Sequence, residues 1–127
     1  MQARIRRAQA VGDEGIRLQA DTAQNLRVRG VRVIDFGNKV FDKFGGTITD
    51  IDIETDHALI EVTRSPGGKF DQAFKMLNDP RVNPARKPLA VYGSGYSALA
   101  AKKAAEDGIP VFTSEDDLVS WLLGLQQ

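Results

Sequence analysis

The chain has 127 residues, and its 17 basic and 17 acidic side chains cancel at neutral pH. This length predicts a single domain over residues 1–127, large enough to bury a core without cross-links. The absence of cysteine excludes a disulfide scaffold and a thiolate zinc site, and a single histidine disfavours a histidine metal site. Any metal would therefore bind to oxygen ligands. The neutral total also argues against a protein that coats nucleic acid, which is usually strongly basic.

The N-terminal segment of about residues 1–29 predicts helix, with a break at Gly12 and an end near Gly30. No apolar segment approaches the roughly 20 residues of a membrane span, and the first residues lack an apolar signal-peptide core. Arginines crowd this quarter of the chain and form a candidate basic surface: Arg4, Arg6, Arg7, Arg17, Arg27, Arg29 and Arg32.

The stretch TITDIDIE alternates with period two, which predicts a strand. Alternation places Ile51 and Ile53 on one face and Asp50, Asp52 and Glu54 on the other. This strand carries more carboxylates than a core strand normally does. The segment NKVFDKFGG before it predicts a turn or hairpin.

ALIEVT predicts a second strand after a turn at TDH, with Glu61 and Thr63 on one face. KFDQAFKMLND predicts an amphipathic helix whose apolar stripe includes Ala73, Phe74 and Leu77. LAVYG and IPVFT predict short buried parallel strands, each followed by a helix. Helices alternating with short apolar strands predict an α/β sandwich around a mixed sheet.

Two acidic residues, Asp52 and Glu61, are candidate metal ligands. A tight turn between their strands would bring them near each other on one face, where two carboxylates repel unless a cation lies between them. Mg²⁺ or Mn²⁺ fits this pair better than Zn²⁺, because it takes carboxylate oxygens and retains waters. Such an ion supplies an activated water and stabilises charge on a phosphate.

The other candidate catalytic groups follow the second strand. Thr63 shares the face of Glu61, and Lys69 begins the next predicted helix and is the candidate cation near the attacking water. Gln72 shares the helix face of Lys69, and Arg64 directly follows the strand. Both are candidate substrate-binding residues.

The pattern of an Asp, a short gap and an apolar residue followed by Glu resembles the PD-(D/E)XK nuclease superfamily. That resemblance implies a restriction-endonuclease-like three-layer αβββαβ sandwich and a metal-dependent endonuclease that hydrolyses phosphodiester bonds. The chain departs from the motif because Thr63 occupies the position of the family's lysine, so Lys69 must replace it. The family often adds an acid from its first helix, for which Asp21 and Glu14 are alternatives.

Within that superfamily the segment ALIEVTRSPGGKFDQ is most similar to C-terminal toxin domains of contact-dependent growth inhibition effectors. The resemblance implies cleavage of RNA, specifically transfer RNA, and neutralisation by a cognate immunity protein. It also implies export as part of a larger effector that acts in the cytoplasm of the target cell. If it does not apply, the chain is expected in the cytoplasm.

Two alternatives remain open at this point. One is a DNA endonuclease of the Holliday-junction-resolvase or restriction type. The other is a non-catalytic α/β module in which the acids are solvated and the GSGYS segment binds a phosphate.

Overall fold

The computed structural model describes residues 1–11, 13–63, 69–93 and 98–127, without the side chains of residues 11, 69–72 and 98–100. The helices are α1 (Gln2–Val11), α2 (Glu14–Val28), α3 (Lys69–Asn78), α4 (Ala98–Glu106) and α5 (Glu115–Leu125). The strands are β1 (Val33–Phe41), β2 (Thr47–Thr55), β3 (Leu59–Thr63), β4 (Leu89–Gly93) and β5 (Val111–Phe112). No helix among the described residues is long and apolar enough to cross a membrane.

The five strands form one sheet in the order β1-β2-β3-β4-β5. The pairs β1–β2 and β2–β3 are antiparallel, whereas β3–β4 and β4–β5 are parallel. Short connections join the antiparallel strands, and helices α3 and α4 connect the parallel ones. Antiparallel strands can be joined by a tight turn, whereas parallel strands need a longer crossover, usually a helix. The predicted α/β fold with a mixed sheet is confirmed. Its assignment as restriction-endonuclease-like stays a prediction.

The buried apolar side chains form two clusters, and strand alternation assigns them to opposite faces of the sheet. Ile60 and Val62 of β3 belong to the cluster packed with α1, α2 and α5. Leu59 of the same strand belongs to the cluster packed with α3 and α4. Because successive side chains point to opposite faces, Glu61 and Thr63 point to the same face as Leu59. Both residues are buried there.

The prediction that Ile51 and Ile53 share one face is wrong. Ile53 packs in the cluster with α2, whereas Ile51 packs in the cluster with α3. On the neighbouring strand beside this point, Gly37 has a φ of 62°. The β1–β2 register pairs Phe36 with Ile53 and Asn38 with Ile51, so Gly37 lies opposite Asp52. On the other side of β2 the regular pairing with β3 ends at Ile53, and the N–H of Val62 donates to the Asp52 side chain. The alternation that the sequence pattern predicted is interrupted at this point.

The segment NKVFDKFGG, predicted as a turn or hairpin, contains the end of β1 and the turn of the β1–β2 hairpin. Asp42 holds this turn, because its carboxylate accepts hydrogen bonds from the N–H groups of Phe44 and Gly46. The apolar stripe of α3 differs from the sequence prediction. Phe74 of α3 is 49% exposed, while Met76 is buried beside Ala73. The buried stripe of this helix is therefore rotated away from Phe74.

The N-terminal helix is divided as predicted. Gly12 itself lies outside the described residues, and α2 begins after Asp13, whose side chain accepts a hydrogen bond from the N–H of Ile16 at 2.8 Å. This cap supplies a partner for one of the N–H groups that a helix start leaves unbonded. Ala20, Ala23 and Leu26 then bury one face of α2 against the sheet.

Candidate active site

The Asp52 carboxylate lies where the regular pairing of β2 and β3 ends. The paired residues are Glu54 with Leu59 and Ile53 with Ile60, so Asp52 and Glu61 are the first residues beyond the paired segment on their strands. Asp52 is 3% exposed and Glu61 is fully buried. Both carboxylates are therefore in a setting where charge is costly without compensating partners. Their predicted juxtaposition stays a prediction.

Two N–H groups orient the Asp52 carboxylate. Its Oδ2 accepts a hydrogen bond from the backbone N–H of Val62 at 2.9 Å, and its Oδ1 accepts one from Gln19 Nε2 at 2.9 Å. The first bond takes a β3 donor that a regular ladder would direct to the main chain of β2. The side chain of Asp52 thus bridges β3 and α2.

Thr63 ends β3 at the same edge of the sheet. It is buried and pairs in register with Gly93 of β4. Its hydroxyl can donate one hydrogen bond and accept others. The carboxyl ends of the parallel strands meet at this edge, which is where α/β proteins commonly bind ligands.

The other predicted site residues, Arg64, Lys69 and Gln72, follow β3 in the chain. Lys69 is the first residue of α3, but its side chain and that of Gln72 lie outside the described residues. Arg64 also lies outside them. Their predicted roles therefore stay predictions. The GSGYS segment begins at Gly93, and its residues 94–97 likewise lie outside the description.

The two candidate acids of the first helix are both exposed. Asp21 accepts a hydrogen bond from Gln9 Nε2 of α1 at 2.8 Å. Glu14 lies in the first turn of α2. The α2 side chain that reaches Asp52 is instead Gln19, which the sequence reasoning missed. Its position directly before buried Ala20, at the border of the buried face, is the signal that could have identified it.

The other two acidic residues of β2, Glu54 and Asp50, lie in different surroundings from Asp52. Glu54 Oε2 accepts a hydrogen bond from Lys87 Nζ at 2.6 Å, and the same ammonium group donates to the carbonyl oxygen of Thr55 at 2.9 Å. Asp50 is exposed and lines a groove of about 910 Å³ between the start of β2 and the end of α3. The groove also contains Lys75 and Arg81. A concave surface thus begins two residues from Asp52.

Several N-terminal arginines are engaged within the molecule. Arg4 donates to Asp35 Oδ1 at 2.8 Å and to the carbonyl oxygen of Phe36 at 3.0 Å. Arg29 donates to Asp116 at 2.7 Å, and this hydrogen bond raises the pKa of the guanidinium. These two arginines therefore attach helices to neighbouring elements in addition to contributing positive charge.

The donor set fits a hard divalent ion. Asp52 and Glu61 offer carboxylate oxygens, and Thr63 adds a hydroxyl nearby on β3. Each oxygen of Asp52 accepts one described hydrogen bond. No group of three histidine, cysteine or acidic side chains converges within the part of the chain that the structure describes. Mg²⁺, however, is commonly held by one or two carboxylates together with waters and substrate phosphates.

Comparison of the chain with protein-family models, with curated proteins and with solved structures gave no match. The functional argument therefore depends on the residues of the chain itself.

Proposed function

We propose that the protein is a metal-dependent endonuclease that hydrolyses phosphodiester bonds in RNA. The observation that carries the proposal is the burial of two carboxylates, Asp52 and Glu61, on adjacent strands just beyond the paired segment of β2 and β3. Buried carboxylates at the open end of a hairpin, beside a concave surface, are more characteristic of a chemical site than of a packed core.

Each residue has a defined part in this proposal. Asp52 and Glu61 would hold Mg²⁺ or Mn²⁺, which when bound supplies an activated water and offsets negative charge on the phosphate. Thr63 orients a water or a phosphate oxygen through its hydroxyl. Lys69, at the start of α3, offers a cation to the developing negative charge. Arg64 and Gln72 are the candidate groups that bind the substrate backbone.

The finer biological assignment rests on the resemblance of ALIEVTRSPGGKFDQ to contact-dependent growth inhibition toxins. On that basis we propose transfer RNA as the substrate and a cognate immunity protein as the partner. Delivery within a larger effector to the cytoplasm of a target cell belongs to the same proposal.

Incubating the purified protein with total transfer RNA and with plasmid DNA, in Mg²⁺, Mn²⁺ or EDTA, tests the proposal. We expect cleavage of RNA with either ion and none in EDTA. Cleavage of DNA alone would favour the junction-resolvase or restriction type of enzyme. Binding of nucleic acid without cleavage under any condition would leave a non-catalytic module as the explanation and would overturn the nuclease assignment.

A further inference from the structure

The hydrogen bond between Gln19 and Asp52 joins residues 33 positions apart in the chain. It connects the middle of α2 to the strand residue at which the β2–β3 ladder ends. Gln19 Nε2 donates to Oδ1, and the N–H of Val62 donates to Oδ2, each at 2.9 Å. The two donors therefore hold different oxygens of the carboxylate and fix its rotation as well as its position.

A glycine of β1 packs against this contact. Gly37, opposite Asp52 on β1, has a φ of 62°. A Cβ atom at Gly37 would lie 3.7 Å from Gln19 Oε1, so the amide group is packed against this glycine. The same point separates Ile51 and Ile53 onto different faces. Three elements thus combine around one carboxylate: α2 supplies the amide, β1 the left-handed residue and β3 the backbone donor.

We infer that Gln19 is a positioning residue, which orients the Asp52 carboxylate toward a divalent cation. The inference rests on the proposed function. An amide donates to the carboxylate without adding charge, so it fixes the orientation of Oδ1 and leaves the negative charge of Asp52 available to attract a cation. Side chains that orient metal ligands in this way typically change metal affinity by about 10–100-fold when removed.

Calorimetric titration of the protein with Mn²⁺ alone tests the inference without relying on catalysis. Gln19→Ala is expected to weaken Mn²⁺ affinity by about 10–100-fold. Gln9→Ala is the matched control, because Gln9 also donates to a carboxylate, at 2.8 Å, but to exposed Asp21. Ala20→Gly is the control for loss of α2 stability, since Ala20 is the buried neighbour of Gln19. Both controls should bind Mn²⁺ as the wild type does.

A second variant keeps the test decisive if Gln19→Ala does not fold. Gln19→Met retains the length of the side chain and lacks the amide donor, so it should show the same loss of affinity. In the cleavage assay, either variant should need about 10–100-fold more Mn²⁺ for its half-maximal rate, and saturating Mn²⁺ should restore a rate near that of the wild type. A loss of folded protein would instead lower the rate at every Mn²⁺ concentration.

The outcomes distinguish this inference from the proposed function. If the wild type binds Mn²⁺ and cleaves RNA, and a folded Gln19 variant binds Mn²⁺ equally well, the positioning role is wrong and the nuclease assignment stands. If the wild type neither binds Mn²⁺ nor cleaves RNA, both are wrong. Weaker binding by the Gln19 variants alone, with unchanged controls, supports both.

Discussion

Replacement of Lys87 by methionine should destabilise the protein through loss of one partly buried cation. The ammonium group lies 2.6 Å from Glu54 Oε2 and 2.9 Å from the carbonyl oxygen of Thr55. The side chains of Lys87 and Glu54 are only 14% and 24% exposed. Methionine keeps most of the aliphatic stem but leaves the carboxylate and the carbonyl without this donor.

The expected size follows from the burial. Breaking a fully buried pair costs about 3–5 kcal/mol, while an exposed pair contributes about 0–1 kcal/mol. The partial exposure of this pair places the cost between these ranges, at about 2 kcal/mol. With an unfolding entropy of about 2.1 cal/mol/K per residue over 127 residues, that cost lowers Tm by about 7 °C.

Thermal unfolding followed by circular dichroism measures this shift. Arg32→Met is the matched control, because Arg32 donates to Asp56 at 3.2 Å from a side chain that is 63% exposed. Its removal should cost about 0.5 kcal/mol or less. Equal Tm values for the Lys87 and Arg32 variants would refute the reasoning that desolvation makes the Lys87 contact the stronger one.

Two further predictions concern the backbone near the site and a half-buried phenol. Gly37→Ala should destabilise by about 1 kcal/mol in urea titration, because left-handed backbone costs an alanine about 1–2 kcal/mol and the unfolded-state entropy change offsets part of this. Gly124→Ala in α5 is the control, because a Cβ there meets nothing within 4 Å, and it should stabilise the protein by about 0.8 kcal/mol. If both variants change the free energy of unfolding in the same direction, the account is contradicted. Burial, and then the charge of Glu115, raises the pKa of Tyr92 above its usual 10.0. The contribution of the neutral Tyr92 phenol to the free energy of unfolding should therefore be fully present below about pH 10. It should be lost as the pH rises through the raised pKa. Absorbance titration compared with Tyr92→Phe checks this, and Glu115→Gln should move the midpoint down.

Much of the fold follows from short-range patterns. The period-two alternation of ALIEVT predicts which side chains of β3 enter each cluster, and the two clusters confirm it for Ile60, Val62 and Leu59. The short apolar runs LAVYG and IPVFT predict parallel strands, and their pairing is parallel. These features depend on a few neighbouring residues, so a linear pattern contains them.

The remaining features depend on contacts between distant segments. The change of face between Ile51 and Ile53 falls where the β2–β3 pairing ends and Asp52 accepts a hydrogen bond from the N–H of Val62, so the pattern of β2 alone could not predict it. The contact from Gln19 to Asp52 depends on how α2 lies across the sheet. Helical periodicity predicts the buried face of α2 but not which polar residue at its border reaches a strand.

The most direct test of the central claim compares two acids of one strand. Asp52 is buried, whereas Asp50, two residues earlier, is exposed. The rate of transfer RNA cleavage in Mn²⁺ should fall to background for Asp52→Asn and stay near the wild-type rate for Asp50→Asn. Wild-type activity in Asp52→Asn, or cleavage that persists in EDTA, would contradict a metal-dependent site at this carboxylate pair.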